Sequence, residues 1–326
     1  MNCVEVQNLS KKFKDLEAVK GISFSIQEGE LFGLLGPNGA GKTTTLNMLS
    51  TMMLPTSGKA FVCGVNVVEK PDEVRKNIGM VFQDPALDLD LTARENLQLH
   101  AELYGLKKEE MKSAVERVLA LVDLKEFANK QVRTFSGGMK RRLEIARGLM
   151  HRPRVLFLDE PTLGLDPQTR ATIWTYVQKL AKQENMTIIL TTHYLDEADA
   201  LCNRIAIIDH GKIVAMDTPT NLKKALKGER VVAKSKDANE LAKLSVKAST
   251  VVQTDHEVSF TVENASAFIP KLVTEAQKKK IEIETIETHK PSLDDVFLQV
   301  TGKAMRDAEI DSSEAWIERA RARRRM

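Results

Sequence analysis

Three observations predict an α/β fold for this chain of 326 residues: a mixed-sheet core with an N-terminal antiparallel β layer, an α-helical insertion and a small C-terminal α+β domain. The first is a set of short, continuous apolar runs, Leu31 to Leu35, Met80 to Phe82, Val155 to Leu158, Ile188 to Leu190 and Ile205 to Ile208. Such runs suit strands buried on both faces of a parallel sheet. The second is the helical stretches that separate them, the alternation expected of βαβ units. The third is Gly36-Pro37-Asn38-Gly39-Ala40-Gly41-Lys42-Thr43, which follows the first run and precedes a helix-like segment, Thr44 to Ser50.

Before the first run, Val4, Val6 and Leu9, then Ile22, Phe24 and Ile26, alternate with polar neighbours. Period-two alternation predicts half-buried antiparallel strands. Between Leu91 and Met150 the pattern is helical, with Met111, Val115, Val118, Leu119 and Val122 on one face. These features place an α/β domain at residues 1–228, with an all-α insertion over about 85–150. Beyond Gly228 come strand-like pieces, Arg230 to Ala233 and Val258 to Val262, a helix-like run Ala265 to Lys280 and a final strand Ile281 to Ile286. They read as a small α+β domain over 229–302. A tail, 303–326, ends in Arg319, Arg321, Arg323, Arg324 and Arg325 and reads as a solvated helix or frayed terminus, with contact to anionic lipid headgroups or an acidic partner as the other reading.

Composition excludes several classes. With 42% hydrophobic residues the chain can bury a core, which argues against disorder or a collagen-like fibre. Lys and Arg number 48 against 45 Asp and Glu, so the net charge is only +3 and nucleic acid is not an expected partner. Cys3, Cys63 and Cys202 are too few and too scattered for a disulfide framework and fit a reducing compartment. Met1 to Ser10 lacks the pattern of a secretory signal. No stretch approaches the roughly 20 apolar residues that cross a bilayer. If the protein serves a membrane, another chain does the crossing.

The glycine-rich segment carries the chemistry. Its glycines let backbone N–H groups turn inward around a polyphosphate, and the following helix adds positive partial charge. Lys42 is expected to reach the β- and γ-phosphates and Thr43 to offer its hydroxyl to Mg²⁺. Val155 to Leu158 ends in Asp159-Glu160, at the strand end where a parallel sheet opens to ligand. Asp159 then holds the metal through water, and Glu160 orients or deprotonates the attacking water. Gln83 follows a buried strand and is expected to reach the metal or that water. His193, after the strand Thr187 to Thr191, is expected to bond the γ-phosphate and the water. Finally, Ser136-Gly137-Gly138 opens a helix and forms an anion cradle of its own. A second cradle implies a second copy.

This ordered set resembles the ATP-binding cassette (ABC) family of transporter ATPases over about residues 2–225. The resemblance implies an ABC-type P-loop NTPase fold and binding of ATP with Mg²⁺ by Asn38, Gly39, Ala40, Gly41, Lys42, Thr43 and Thr44. It further implies a head-to-tail dimer in which Ser136, Gly137 and Gly138 touch the partner's nucleotide. Leu163-Gly164-Leu165-Asp166 resembles the loop that communicates between the two sites, and Phe13 stands where the family puts an aromatic residue against adenine. The signature departs from Leu-Ser-Gly-Gly-Gln at Phe135 and Met139, which bears on its outer contacts. That variant is similar to the daunorubicin-resistance-type branch of prokaryotic exporters, as are Thr92-Ala93-Arg94-Glu95-Asn96-Leu97, Leu103-Tyr104-Gly105-Leu106 and Pro291-Ser292-Leu293-Asp294-Asp295-Val296-Phe297. The expected function is the ATPase subunit of an exporter, at the cytoplasmic face of the membrane beneath a separately encoded permease. Two other readings stand beside it: a soluble cassette ATPase acting on DNA or ribosomes, and an interaction module in the region after residue 228.

Overall fold

The computed structural model describes residues 2–302 except 15, 227, 245–247, 249, 254 and 255; the basic tail expected at 303–326 lies outside the described residues. Two compact units divide the chain, one running to Pro219 and one spanning Thr220–Gly302. The division falls nine residues before the one expected at 228/229. The helix Pro219–Ala225 follows the last strand of the first unit, and the composition of Thr220 to Gly228 carries no signal of that break.

The first unit opens with a long hairpin, β1 (Asn2–Phe13) and β2 (Leu16–Gln27), followed by β3 (Leu31–Leu35) and α1 (Lys42–Leu49). Next come β4 (Ser57–Val62), β5 (Val65–Asn66), α2 (Pro71–Asn77) and β6 (Ile78–Val81). The alternation in β1 and β2 has most of its predicted consequence: Val4, Val6, Leu9, Ile22, Phe24 and Ile26 are buried while most of their neighbours are exposed or half-exposed, Cys3 and Ser10 being buried as well. The hairpin joins β4 and β5 in an antiparallel sheet of order β2-β1-β4-β5.

The helical insertion comprises α3 (Ala93–Leu103), α4 (Lys108–Leu121) and α5 (Gly137–Gly148). A capping box starts α3, in which Thr92 Oγ1 accepts from Glu95 N–H and Glu95 Oε2 accepts from Thr92 N–H. The predicted face of α4 and its end, Met111, Val115, Val118, Leu119 and Val122, is buried. Then follow β7 (Val155–Asp159), α6 (Pro167–Gln183), β8 (Thr187–Thr192), α7 (Leu195–Leu201), β9 (Arg204–Asp209) and β10 (Lys212–Asp217).

The second sheet has the order β10-β9-β3-β8-β7-β6. Its pairs are parallel except β9 with β10, which makes it mixed. Its apolar side and that of the hairpin sheet share one core around α1, in which Phe24 and Phe32 stack 5.4 Å apart at 6°. Since β3, β8, β7 and β6 run the same way, the segments that follow them leave the sheet at one edge. Those segments begin with Gly36, His193, Glu160 and Phe82-Gln83.

The second unit holds α8 (Pro219–Ala225), β11 (Glu229–Lys234), α9 (Ala238–Ala242), β12 (Thr250–Gln253), β13 (Glu257–Val262), α10 (Ala265–Lys278), β14 (Thr285–His289) and α11 (Leu293–Thr301). The antiparallel sheet, β12-β13-β11-β14, shares a core with α10 through Val231, Ala233, Phe260, Phe268 and Leu272. The last strand lies later than the expected Ile281 to Ile286. Ile281 turns into the core directly after α10, and pairing with β11 begins only at Thr285, opposite Lys234.

Candidate functional site

At the end of β3 the backbone is crowded. A Cβ on Gly36 would stand 2.2 Å from the Ile208 carbonyl oxygen, so no larger residue fits there without backbone movement. Gly39 and Gly41 have φ of 80° and 107°, which turns the loop back toward the amino end of α1. Lys42, only 3% exposed, donates from Nζ to the carbonyls of Gly36 (2.6 Å) and Pro37 (3.2 Å). Its ammonium also lies 3.3 Å from Glu160 Oε1.

The acidic pair at the end of β7 is buried and divided in its contacts. Asp159 Oδ1 accepts from the hydroxyls of Thr43 (3.1 Å) and Thr191 (2.5 Å). Burial pushes the Asp159 carboxyl above its ordinary value, against the pull of those two hydroxyls. Thr43 hydroxyl and Asp159 carboxylate together form a pair of hard oxygen donors, which fits Mg²⁺. Glu160 sits at φ 45°, a left-handed conformation that costs a residue with a side chain about 1–3 kcal/mol unless the surroundings fix it. The surroundings do fix it. Its N–H donates to both the carbonyl (3.2 Å) and the hydroxyl (3.0 Å) of Thr191.

From this position Glu160 Oε2 lies 2.8 Å from His193 Nδ1. Burial raises the Glu160 carboxyl, but the His193 hydrogen bond and the Lys42 charge outweigh it and hold the group below its ordinary value. Lys42, Thr43, Asp159, Glu160 and His193 therefore come together in one cluster, in which Lys42, Asp159 and Glu160 are buried, His193 is half-buried and Thr43 is exposed. Gln83 does not join it by contact: its side chain is exposed and makes no hydrogen bond to these residues. It leaves the sheet next to them, because Val81 pairs with Leu158.

Ser136 caps α5, accepting from Met139 N–H at 3.3 Å, and is exposed with Gly137. A Cβ on Gly138 would meet Thr169 Cγ2 at 2.6 Å, so this glycine permits close approach of α5 and α6. Among the described residues no hydrogen bond joins 136–138 to the loop 36–43. Gly164 has φ 73°, and Asp166 caps α6 by accepting from Thr169 N–H at 3.0 Å. Phe13 is 41% exposed at the tip of the hairpin, with Lys11 Nζ 5.2 Å from its ring centre.

Two residues of this region escaped sequence reasoning. Thr191, which holds both acidic residues, was visible only as one of two threonines ending an apolar strand. Arg141 is buried against the end of β7, yet in the sequence it is one of three consecutive basic residues, Lys140-Arg141-Arg142, with nothing to set it apart.

Comparison with known proteins adds to this geometry. Residues 19–163 match the ABC transporter family, and residues 218–301 match the C-terminal domain of DrrA1-3-like ATP-binding proteins. The linearmycin resistance ATP-binding protein LnrL of Bacillus subtilis is 39% identical over 311 residues, covering 93% of this chain and 100% of that protein. The chain belongs to the ABC transporter ATP-binding protein family. Another relative, the daunorubicin resistance ATP-binding protein DrrA2 of Streptomyces coeruleorubidus, is 37% identical over 94% of this chain and 97% of its own length.

Among solved structures, the ABC cassette cbiO1 of Clostridium perfringens superposes with a TM-score of 0.65 at 29% identity, over 69% of this chain and 92% of that one. A dimeric ATP-binding cassette in a post-hydrolysis state with ADP and Pi gives 0.59 at 30% identity, over 66% and 98%. The first unit is thus an ABC ATPase cassette of P-loop fold, the chain is an ATP-binding enzyme subunit of a transporter, and its second unit is a DrrA-like C-terminal domain. Among the described residues no helix of this cassette protein is long and apolar enough to cross a membrane.

Proposed function

We propose that this ABC subunit hydrolyses ATP as one half of a head-to-tail pair of identical chains. The pair drives a separately encoded permease in export, from the cytoplasmic face of the membrane. The observation that carries the reading is the presence of two anion cradles in one chain. One is complete with lysine, carboxylates and histidine, whereas the other, Ser136-Gly137-Gly138, has Ser136 and Gly137 exposed at the start of α5 and, among the described residues, hydrogen-bonds only within its own helix. A γ-phosphate bound by the first cradle of one copy and the second cradle of another holds the two together, and hydrolysis removes that tie. The name of the dimeric post-hydrolysis cassette among the solved structures supports the pairing. Relatives named for drug resistance and for Nod factor export support the direction of transport.

In this reading, Asn38 to Thr44 wrap the phosphates, Lys42 stabilises charge on the β- and γ-oxygens, and Phe13 covers the adenine. Glu160 takes a proton from the attacking water. Its low-lying carboxyl is ionised at neutral pH, as a proton acceptor must be, and His193 fixes its direction. Thr43 and Asp159, with Gln83, would hold Mg²⁺, which neutralises phosphate charge when bound. The helical insertion, rooted at Gln83, passes the motion to the permease.

Purification from membranes in mild detergent tests the partner. The subunit is expected to carry with it a multi-span membrane protein. Recovery with ribosomes or nucleic acid, and no membrane protein, would contradict the reading.

A further inference from the structure

Arg141 is 7% exposed and Glu144, three residues on, is 1% exposed. A buried guanidinium costs several kcal/mol unless its N–H groups are satisfied. Here each of the five finds an acceptor. Nε donates to the Pro161 carbonyl (2.7 Å), Nη1 to the Phe82 carbonyl (2.5 Å) and to Glu144 Oε2 (3.0 Å). Nη2 donates to the carbonyls of Asp159 (3.0 Å) and Glu160 (3.2 Å). The other oxygen of Glu144 accepts from Ala86 N–H at 2.8 Å, and Arg147 donates to the Ala86 carbonyl.

One helix face therefore reaches both sides of the segment that contains Gln83 and three consecutive carbonyls around Glu160. Phe82 directly follows β6 and Asp159 ends the adjacent β7, where the pairing of these two strands has stopped at Val81 and Leu158. A guanidinium there donates to both carbonyls, and a lysine, with three donors on one atom, could not span them. The same helix is capped by Ser136. At about 1.5 Å per residue, Arg141 lies only roughly 7 Å further along it.

We infer that Arg141 and Glu144 are positioning residues for ATP hydrolysis. They tie the signature helix to the peptide that aims Glu160 and to the loop 82–86, so that engagement of Ser136 by the partner's nucleotide is felt at this chain's own Glu160. The inference rests on the paired-copy reading above. It concerns how the two half-sites communicate, not which residues touch phosphate. A cap that merely stabilised strand ends would affect melting temperature alone.

The experiment compares Arg141→Lys and Glu144→Gln with the unaltered protein in steady-state ATPase assays, equilibrium binding of a fluorescent ATP analogue, and thermal melting. Arg141→Lys is expected to lower kcat at least tenfold, with ATP affinity within threefold and the Hill coefficient for ATP falling toward one. Glu144→Gln is isosteric but cannot accept from both Arg141 and Ala86, and is expected to lower kcat at least threefold with affinity unchanged. It decides the matter if Arg141→Lys does not fold. A kcat within twofold of the unaltered protein in folded Arg141→Lys, or in Glu144→Gln if only that variant folds, would overturn the inference, whatever the change in melting temperature. Failure of the paired-copy reading is read separately, from the dependence of unaltered protein's activity on its concentration.

Discussion

Glu160→Gln is expected to lower ATP turnover by about 10²–10⁴-fold, the usual contribution of a positioned general base, while ATP still binds. The substitution keeps size and one acceptor but removes the proton-accepting oxygen. In the structure one Glu160 oxygen faces Lys42 and the other faces His193. An amide can retain one of these contacts, so the φ of 45° at Glu160 and its backbone bonds to Thr191 should persist. With binding intact and hydrolysis blocked, the γ-phosphate tie between two copies is not removed. Gel filtration with Mg-ATP should therefore show a long-lived dimer in this variant. Near-normal turnover would remove Glu160 from the role assigned to it, and dimers no more stable than those of the unaltered protein would contradict the link between hydrolysis and opening.

Lys42→Ala acts earlier, on binding. The ammonium is buried, anchored by two loop carbonyls and paired with Glu160. Truncating one partner of a buried, hydrogen-bonded charge pair costs about 2–5 kcal/mol, which corresponds to a loss of ATP affinity of roughly 30-fold or more. Two effects combine in that figure: the phosphates lose a cation, and the Glu160 carboxylate is left facing an anionic ligand with only His193 beside it. Equilibrium titration with a fluorescent ATP analogue measures the loss. Unchanged affinity would contradict the placement of phosphate against Lys42.

Much of this site was legible because its chemistry is local in sequence. Gly36 to Thr43 combines a turn that needs small residues with a lysine at fixed offset, and Asp159-Glu160 ends an apolar strand. Residues whose task is to hold others were not legible. Thr191 matters because β8 lies between β3 and β7, a fact of sheet order that no local pattern encodes. Arg141 is buried only because α5 packs over strand ends 18 and 59 residues away in sequence. The strand after α10 was placed four residues early for a similar reason. An apolar residue at a helix exit, Ile281, satisfies the core without pairing, and alternation alone does not distinguish that from a strand.

The ATPase rate per chain, measured in Mg-ATP over a dilution series of purified protein from well above to well below the concentration at which copies pair, tests the account most directly. The account predicts that the rate per chain collapses on dilution, because each chain supplies only part of each active centre. A rate per chain that stays constant down to strictly monomeric protein would contradict it.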